Sequence, residues 1–341
     1  MDIHIITYGC AANQNNSEIL AGILKSSGHN LTNNKEPADV IILNTCVVKQ
    51  KTENKIKRQI QDLENKNKNK LLIITGCMPE TDAKQIKQLN ENTILLGTHH
   101  FKNINNIIKS YNENKLGWKE QEENINYRDE TKLNLPKIPK NKLISITQIS
   151  EGCYGNCTYC KTRLAKGKLF SYSQDEILSS IESDLKNGAK EVWITSQDCA
   201  NYGLDKDNRE HRLPELLEKI LNLKHRFKLR LGMSDPDNIY PILNDLIKIY
   251  KNKKMYKFLH IPIQSASNNI LSDMKRKYKI EQVGEIINKF RKEIPDITIA
   301  TDIIIGYPTE KENDFQESLN FIKKYKPDVF NLSKMSIHKG T

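Results

Sequence analysis

The chain has 341 residues, 37% of them hydrophobic and 28% charged, enough for two domains with cores of their own, and no apolar run approaches the length that crosses a bilayer. The start, Met1-Asp2-Ile3-His4, lacks the basic and apolar regions of an export signal, which places the chain in the cytoplasm and away from membranes. A formal charge of +11 suits a polyanionic partner, and seven cysteines without a signal sequence argue for reduced thiols acting as ligands rather than for disulfides.

In residues 1–112 short apolar runs alternate with segments of helical period. Ile3–Thr7, Val40–Leu43, Leu71–Thr75 and Ile94–Leu96 read as strands; Ser17–Ser27, Thr52–Leu63, Thr81–Leu89 and Phe101–Tyr111 read as helices. The pattern predicts an α/β fold, a small doubly wound domain on a parallel sheet. Cys10, Cys46 and Cys77 each follow a predicted strand. The C-terminal ends of parallel strands share one edge, so the three thiols are expected to meet in one crevice. Gly9 and Gly76 beside them would let the backbone approach a bulky inorganic ligand. The bland reading is three small residues in three tight turns, and zinc with an outside fourth ligand is another. The Asn/Lys run from Glu64 to Lys70 reads as a solvated turn or a composition bias rather than a nucleic-acid contact.

Residues 113–142 show no period and contain Pro136 and Pro139, which predicts an extended linker with Trp118 as a packing anchor. From 143 to 341 six strands are expected, Leu143–Ile149, Glu191–Thr195, Lys228–Leu231, Phe258–Ile263, Thr298–Ile305 and Val329–Lys334. The helices between them are Gln174–Asn187, Leu213–Leu221, Asn238–Tyr250, Ile280–Ile294 and Glu312–Tyr325. Six such units fit a partial (β/α)6 barrel, whose chemistry belongs at the C-terminal mouth of its strands.

The first strand of that barrel runs into Cys153-Tyr154-Gly155-Asn156-Cys157-Thr158-Tyr159-Cys160, a C-x3-C-x2-C loop. Three soft ligands can hold one face of a cubane iron–sulfur cluster but cannot close a four-coordinate structural zinc site. The open iron could chelate S-adenosylmethionine (SAM) and reduce it to a radical. A zinc knuckle completed by Cys199 or a histidine, or an inert thiol cluster, are the competing readings. At the other strand ends stand Ser196, Gln197 and Asp198, then Ser234 and Asp235, then Gln264 and Ser265, with Asp302 on the fifth strand. Each has an ordinary reading as a cap or turn residue, evenly weighted for Ser234 and Asp235. Gln264 is suited to a ribose hydroxyl or a carboxylate. His260 reads as a satisfied interior histidine, and Cys199 as no metal ligand. The stretch from Lys161 to Lys168, with Arg163, Lys166 and Lys168, offers a cationic rim to a phosphate backbone or is simply a solvated loop.

Taken with these two cysteine sets, Leu259-His260-Ile261-Pro262-Ile263-Gln264-Ser265-Ala266-Ser267 and Thr301-Asp302-Ile303-Ile304-Ile305-Gly306-Tyr307-Pro308-Thr309-Glu310 make the chain resemble the radical SAM methylthiotransferases along nearly its whole length. The run Gly152 to Arg163, with Trp193-Ile194-Thr195-Ser196 and Leu231-Gly232-Met233-Ser234, is similar to the archaeal and eukaryotic branch that modifies N6-threonylcarbamoyladenosine 37 of tRNA. The resemblance implies a radical SAM barrel in which Cys153, Cys157 and Cys160 hold a SAM-cleaving 4Fe–4S cluster. It implies an auxiliary 4Fe–4S cluster on Cys10, Cys46 and Cys77 whose open iron carries the sulfur. One SAM would donate a methyl group, and a second would yield the radical that takes hydrogen from C2 of the adenine. Tyr159, Ser196, Gln197, Gln264 and Asp302 are the expected SAM contacts, and Arg163, Lys166 and Lys168 the expected tRNA contacts. A flavodoxin- or ferredoxin-type electron donor and a monomeric state go with this reading. Two departures stand out. The chain stops at Lys339-Gly340-Thr341, where the family continues into a tRNA-binding β-barrel, so that module is expected to be absent; and Ile337-His338-Lys339-Gly340-Thr341 replaces the family's Pro-Arg-Pro-Gly-Thr.

The alternatives are methylthiolation of N6-isopentenyladenosine in tRNA or of an aspartate in a ribosomal protein, and a non-catalytic iron–sulfur RNA-binding protein. The last has no need for an open iron in each cluster.

Overall fold

A computed structural model describes residues 1–66, 70–113, 125 and 130–341. They form two compact units. The first comprises Met1–Asn141, Lys161–Gly167 and Gly340; the second comprises Lys142–Cys160, Lys168–Lys339 and Thr341. Trp118 and part of the Asn/Lys run, residues 67–69, lie outside the described residues.

The first unit is built on five parallel strands, β1 (Asp2–Thr7), β2 (Asn30–Leu31), β3 (Val40–Thr45), β4 (Leu71–Gly76) and β5 (Ile94–Gly97), in the order β2-β1-β3-β4-β5. β3 and β4 are buried along their whole length, which explains why Val40–Leu43 and Leu71–Ile74 are unbroken apolar runs rather than alternating ones. On one face Ile3, Val40, Ile42 and Ile73 pack against Ile19, Leu20 and Leu24 of α1 (Ala11–Ser26) and Ile104 and Ile107 of α4 (Ile104–Asn112). On the other face Ile41, Leu43, Leu72 and Ile74 meet Ile56, Ile60 and Leu63 of α2 (Gln50–Lys66) and Met78 and Ile86 of α3 (Cys77–Leu89). Each such side chain contributes about 1.5–3 kcal/mol by leaving water.

Helix α1 begins at Ala11, well before the expected Ser17, because its first turns bury Asn13, Asn15 and Asn16, and polar residues are silent in a hydrophobic period. β2 is too short to register at all. The expected linker behaves differently from the prediction as far as it is described. Ile138 N–H donates to Glu18 O at 2.9 Å, and Lys140 N–H to the Glu18 carboxylate at 3.0 Å. A Cβ at Gly22 would stand 2.2 Å from the Pro136 carbonyl, so a glycine in the middle of α1 is what lets this segment lie against the helix. Residues 130–141 therefore belong to the first unit.

The second unit contains β6 (Ile144–Gln148), the short antiparallel pair β7 (Ser150–Glu151) and β8 (Phe170–Ser171), then β9 (Glu191–Thr195), β10 (Lys228–Leu231), β11 (Phe258–His260), β12 (Thr298–Ile305) and β13 (Val329–Lys334). The parallel sets β10-β9-β6 and β11-β12-β13 are bridged where Leu229 pairs with Met255. The result is the partial barrel of six parallel strands that the sequence predicts.

Helix α5 (Lys161–Lys166) belongs to the first unit, where Ala165 joins the core beside Met78. The second unit's helices are α6 (Gln174–Lys186), α7 (Leu213–Leu221), α8 (Pro236–Ile239), α9 (Leu243–Tyr250), α10 (Asn268–Asp273), α11 (Ile280–Glu293) and α12 (Glu312–Tyr325). The helix expected over 238–250 breaks into α8, a 3-10 turn and α9, since Pro241 has no N–H to continue it. β11 ends at His260 rather than Ile263 because Pro262 removes a ladder donor; pairing resumes for one residue where Gln264 meets Ile303.

Candidate metal centres

In the first unit Cys10 is the N-cap of α1 after β1, Cys46 follows β3, and Cys77 opens α3 directly after β4. A buried polar frame holds these three turns in register. Asn13 Nδ2 donates to Tyr8 O and Thr45 O, both at 2.8 Å; Asn44 Nδ2 donates to Asn13 O and Ser17 Oγ, also at 2.8 Å. Thr45 Oγ1 donates to Thr75 O at 2.6 Å and accepts from Met78 N–H at 3.1 Å, which ties the third turn to the second. Gly9 (φ +106) leaves no room for a side chain, since a Cβ there would lie 2.8 Å from Cys46 Cβ and 2.9 Å from its Sγ. Gly76 (φ +89) likewise has no room for a side chain, since a Cβ there would lie 2.4 Å from Asn44 Oδ1 and from Thr45 O. The close approach anticipated at these glycines is thus to Cys46 and its neighbours.

Burial pushes the Cys46 thiol up to about 11 and Cys77 up to about 12, and the neighbouring thiols add to the rise. β1, β3 and β4 are neighbours in the parallel sheet, so the turns that carry Cys10, Cys46 and Cys77 lie along one sheet edge. Such thiols stay protonated until a cation displaces the proton, as metal loading does. Lys166 opposes this and pulls both thiols back down, and Lys132 does the same for Cys77. Lys166 Nζ is 2.6 Å from Thr98 Oγ1, and Lys132 Nζ lies 3.4 Å from the same hydroxyl. At 1% exposure Lys166 cannot belong to a solvent-facing rim, which corrects its expected role as a tRNA contact. Arg163 and Lys168 are exposed.

In the second unit the C-x3-C-x2-C loop follows β7. Gly155 N–H donates to Cys153 Sγ at 3.3 Å, and a Cβ on Gly155 would touch Cys153 Sγ at 3.4 Å and Cys157 Sγ at 3.8 Å, so two sulfurs crowd one residue that has no side chain. Asn201 Nδ2 approaches Cys153 Sγ at 3.8 Å, and Arg276 Nη1 donates to Cys157 Sγ at 3.2 Å. Thr158 clasps the turn after α10, its N–H on Met274 O at 3.2 Å and its hydroxyl on Asp273 O at 3.1 Å. Burial, followed by the Asp198 carboxylate, pushes Cys153 up to about 12.

Among the described residues no three His, Cys, Asp or Glu side chains gather around a single-ion position. A 4Fe–4S cube is held differently, by single thiolates on separate irons, and each of the two trios offers three such thiols, one fewer than the cube has irons.

The other predicted site residues lie at strand ends. Ser196 Oγ donates to Cys199 Sγ at 3.5 Å, and Cys199 is a fully buried core thiol pushed up to about 12 by burial. Asp198 accepts from Ala200 N–H at 3.0 Å, Asp235 N–H at 2.9 Å and Asn238 Nδ2 at 2.6 Å, while burial and the Asp235 carboxylate raise its pKa. Asp235 caps α8 through Asp237 N–H, so the helix-cap reading holds for it, and it also pairs with Arg276 at 2.9 Å. Gln264 adopts φ +64, a left-handed conformation that costs a side-chain-bearing residue and is common where structure serves a site. Its side chain is half-buried, as is Tyr159, whose hydroxyl pKa burial raises well above the ordinary value. Asp302 Oδ2 is 2.5 Å from His260 Nε2, so the histidine is satisfied as expected, and by a residue assigned to SAM. Asn13, Asn44, Thr98, Lys132, Asn201 and Arg276 escaped the sequence reading; the signal for Asn44 was its place two residues before Cys46.

The N-terminal unit matches the profile described as Uncharacterized protein family UPF0004 over residues 2–97, and the barrel matches the Radical SAM superfamily over residues 147–322. The radical S-adenosylmethionine methyltransferase TsrM from Kitasatospora setae shares the fold, with a TM-score of 0.67 at 11% identity over 97% of this chain and 72% of that one. Fold and thiol loop together define a radical SAM enzyme. The "Probable threonylcarbamoyladenosine tRNA methylthiotransferase" of Methanothermobacter thermautotrophicus is 36% identical over 332 residues, 97% of this chain and 76% of the relative. Its counterpart in Pyrococcus horikoshii is 37% identical over 347 residues, 99% of this chain and 78% of the relative. The chain belongs to this family of radical SAM methylthiotransferases, transferases that use SAM and two 4Fe–4S clusters. Among the described residues no helix is long and apolar enough to cross a membrane.

Proposed function

We propose that the chain inserts a methylthio group at C2 of N6-threonylcarbamoyladenosine 37 in tRNA, in the cytoplasm and as a monomer. The observation that carries this reading is the placement of Cys10, Cys46 and Cys77 at three strand ends of one parallel sheet, in a chain whose barrel carries a second trio of thiols. One trio is enough for SAM cleavage; a second is the mark of sulfur insertion. Cys153, Cys157 and Cys160 hold the SAM-cleaving cluster, and Cys10, Cys46 and Cys77 the auxiliary one. When bound, SAM and the clusters supply the methyl group, the hydrogen-abstracting radical and the inserted sulfur.

The chain's own residues position these groups. The frame of Asn13, Asn44 and Thr45 fixes the three auxiliary turns, and buried Lys166 offsets negative charge beside them. Ser196, Gln197, Gln264 and Tyr159 remain the candidates to orient SAM. Asp302 would do so together with His260. Arg163 and Lys168 are the exposed cations suited to tRNA phosphates. A flavodoxin- or ferredoxin-type protein would deliver the electron.

The test is anaerobic turnover with SAM, reductant and tRNA bearing N6-threonylcarbamoyladenosine, followed by mass spectrometry of the nucleosides. The expected product carries one added methylthio group on that nucleoside. Modification of N6-isopentenyladenosine or of a ribosomal protein instead, with this nucleoside untouched, would overturn the substrate assignment.

A further inference from the structure

Arg276 follows α10 through a turn in which Lys275 takes a left-handed conformation, φ +56, and Arg276 N–H returns to Leu271 O at 2.8 Å. A non-glycine residue is seldom held this way without a structural return. Here the turn sends the guanidinium inward, where its side chain is 6% exposed and lies over the Tyr278 ring at 5.1 Å. It reaches three groups at once: Asp235 Oδ2 at 2.9 Å, Pro262 O at 3.3 Å and Cys157 Sγ at 3.2 Å. Asp235 is itself fixed, its N–H on Asp198 Oδ1 at 2.9 Å and its carboxylate on Asp237 N–H at 3.1 Å.

We propose that Arg276 is a positioning residue for the SAM-cleaving cluster, carrying a permanent positive charge and an N–H onto the sulfur of Cys157 so that this thiolate is oriented and the reduced cluster is stabilised. The proposal rests on the assignment of Cys153, Cys157 and Cys160 to that cluster. Reduction adds negative charge to the cluster and its sulfurs, so a cation and a donor held against one sulfur favour the reduced form and raise the potential. The effect is strong because the contact is buried, where charges are poorly screened. Arginine suits the role because its planar fork can serve a carboxylate, a carbonyl and a thiolate simultaneously, whereas an ammonium is a single point of charge.

The full chain is reconstituted anaerobically and its iron counted. Potentiometric titration then follows the electron paramagnetic resonance signal that changes when SAM is added, which identifies this cluster. Arg276→Gln at full iron content is expected to bind the electron about tenfold more weakly, a potential about 59 mV more negative for a one-electron couple. Arg276→Lys should recover part of the loss. An unchanged potential in Arg276→Gln at full iron content overturns the proposal. If the glutamine variant does not retain the cluster, Arg276→Lys decides: a smaller shift in the same direction supports the role, and the unsubstituted chain's potential contradicts it. Failure of the unsubstituted chain to build a SAM-responsive cluster would instead overturn the cysteine assignment, and this proposal with it.

Discussion

Cys157→Ala is expected to abolish SAM cleavage, whereas Cys46→Ala should leave cleavage measurable and stop sulfur insertion. The two residues lie in different units and in different trios. Three thiols are the fewest that can tether a cube while leaving one iron open, so losing one should cost each variant its own cluster and about half of the protein's iron. Cys157 is also the sulfur that Arg276 contacts, at 3.2 Å, so its removal leaves a buried guanidinium without one of its acceptors. Cys46 stands against Gly9, and its loss opens space beside that glycine within the first unit. The measurements are 5′-deoxyadenosine release and modified nucleoside, each per protein. Equal loss of 5′-deoxyadenosine in both variants would contradict the division of labour.

Lys161→Met is expected to destabilise the first unit by roughly 3–5 kcal/mol, the cost of leaving buried carboxylates without their cation. Lys161 Nζ lies 2.6 Å from Glu53 Oε1 and 2.7 Å from Asp82 Oδ2, with side chains only 5%, 2% and 12% exposed. Lys57, 3.8 Å from Glu53, is too distant to replace it fully. Exposed pairs behave otherwise: Lys248 and Asp245 are 3.5 Å apart at 77% and 57% exposure, and Lys248→Ala should change stability by less than about 0.5 kcal/mol. Urea unfolding of the iron-free chain measures both. A loss below about 1 kcal/mol for Lys161→Met would show that this lysine and its two carboxylates do not anchor α5. The residue matters for more than stability, because Lys161 is covalently next to Cys160 and is the first residue of the stretch that joins the first unit.

Much of this was legible in the residues, and what was not has physical causes. Val40–Leu43 and Leu71–Ile74 announced buried parallel strands because parallel strands covered on both faces must be apolar throughout. The cysteines were legible because a strand-to-turn boundary is visible in sequence and a thiol at each of three such boundaries is not a packing choice. The first turns of α1 were hidden because Asn13, Asn15 and Asn16 are buried for hydrogen bonding, which hydrophobic periodicity cannot sense. Lys166 was misread for a related reason. Charge suggests exposure, but whether a lysine faces solvent depends on partners distant in sequence, here Thr98 and the auxiliary thiols. Arg276 was invisible because its importance comes from a turn at Lys275 and from Asp235, neither of which its own surroundings in sequence disclose.

The central claim, that each of two thiol trios holds a 4Fe–4S cluster with one iron free of protein, is tested most directly by anaerobic reconstitution with iron and sulfide followed by an iron count and SAM turnover with reductant. The account predicts about eight irons per chain together with 5′-deoxyadenosine release. About four irons or fewer, with no 5′-deoxyadenosine, would contradict it.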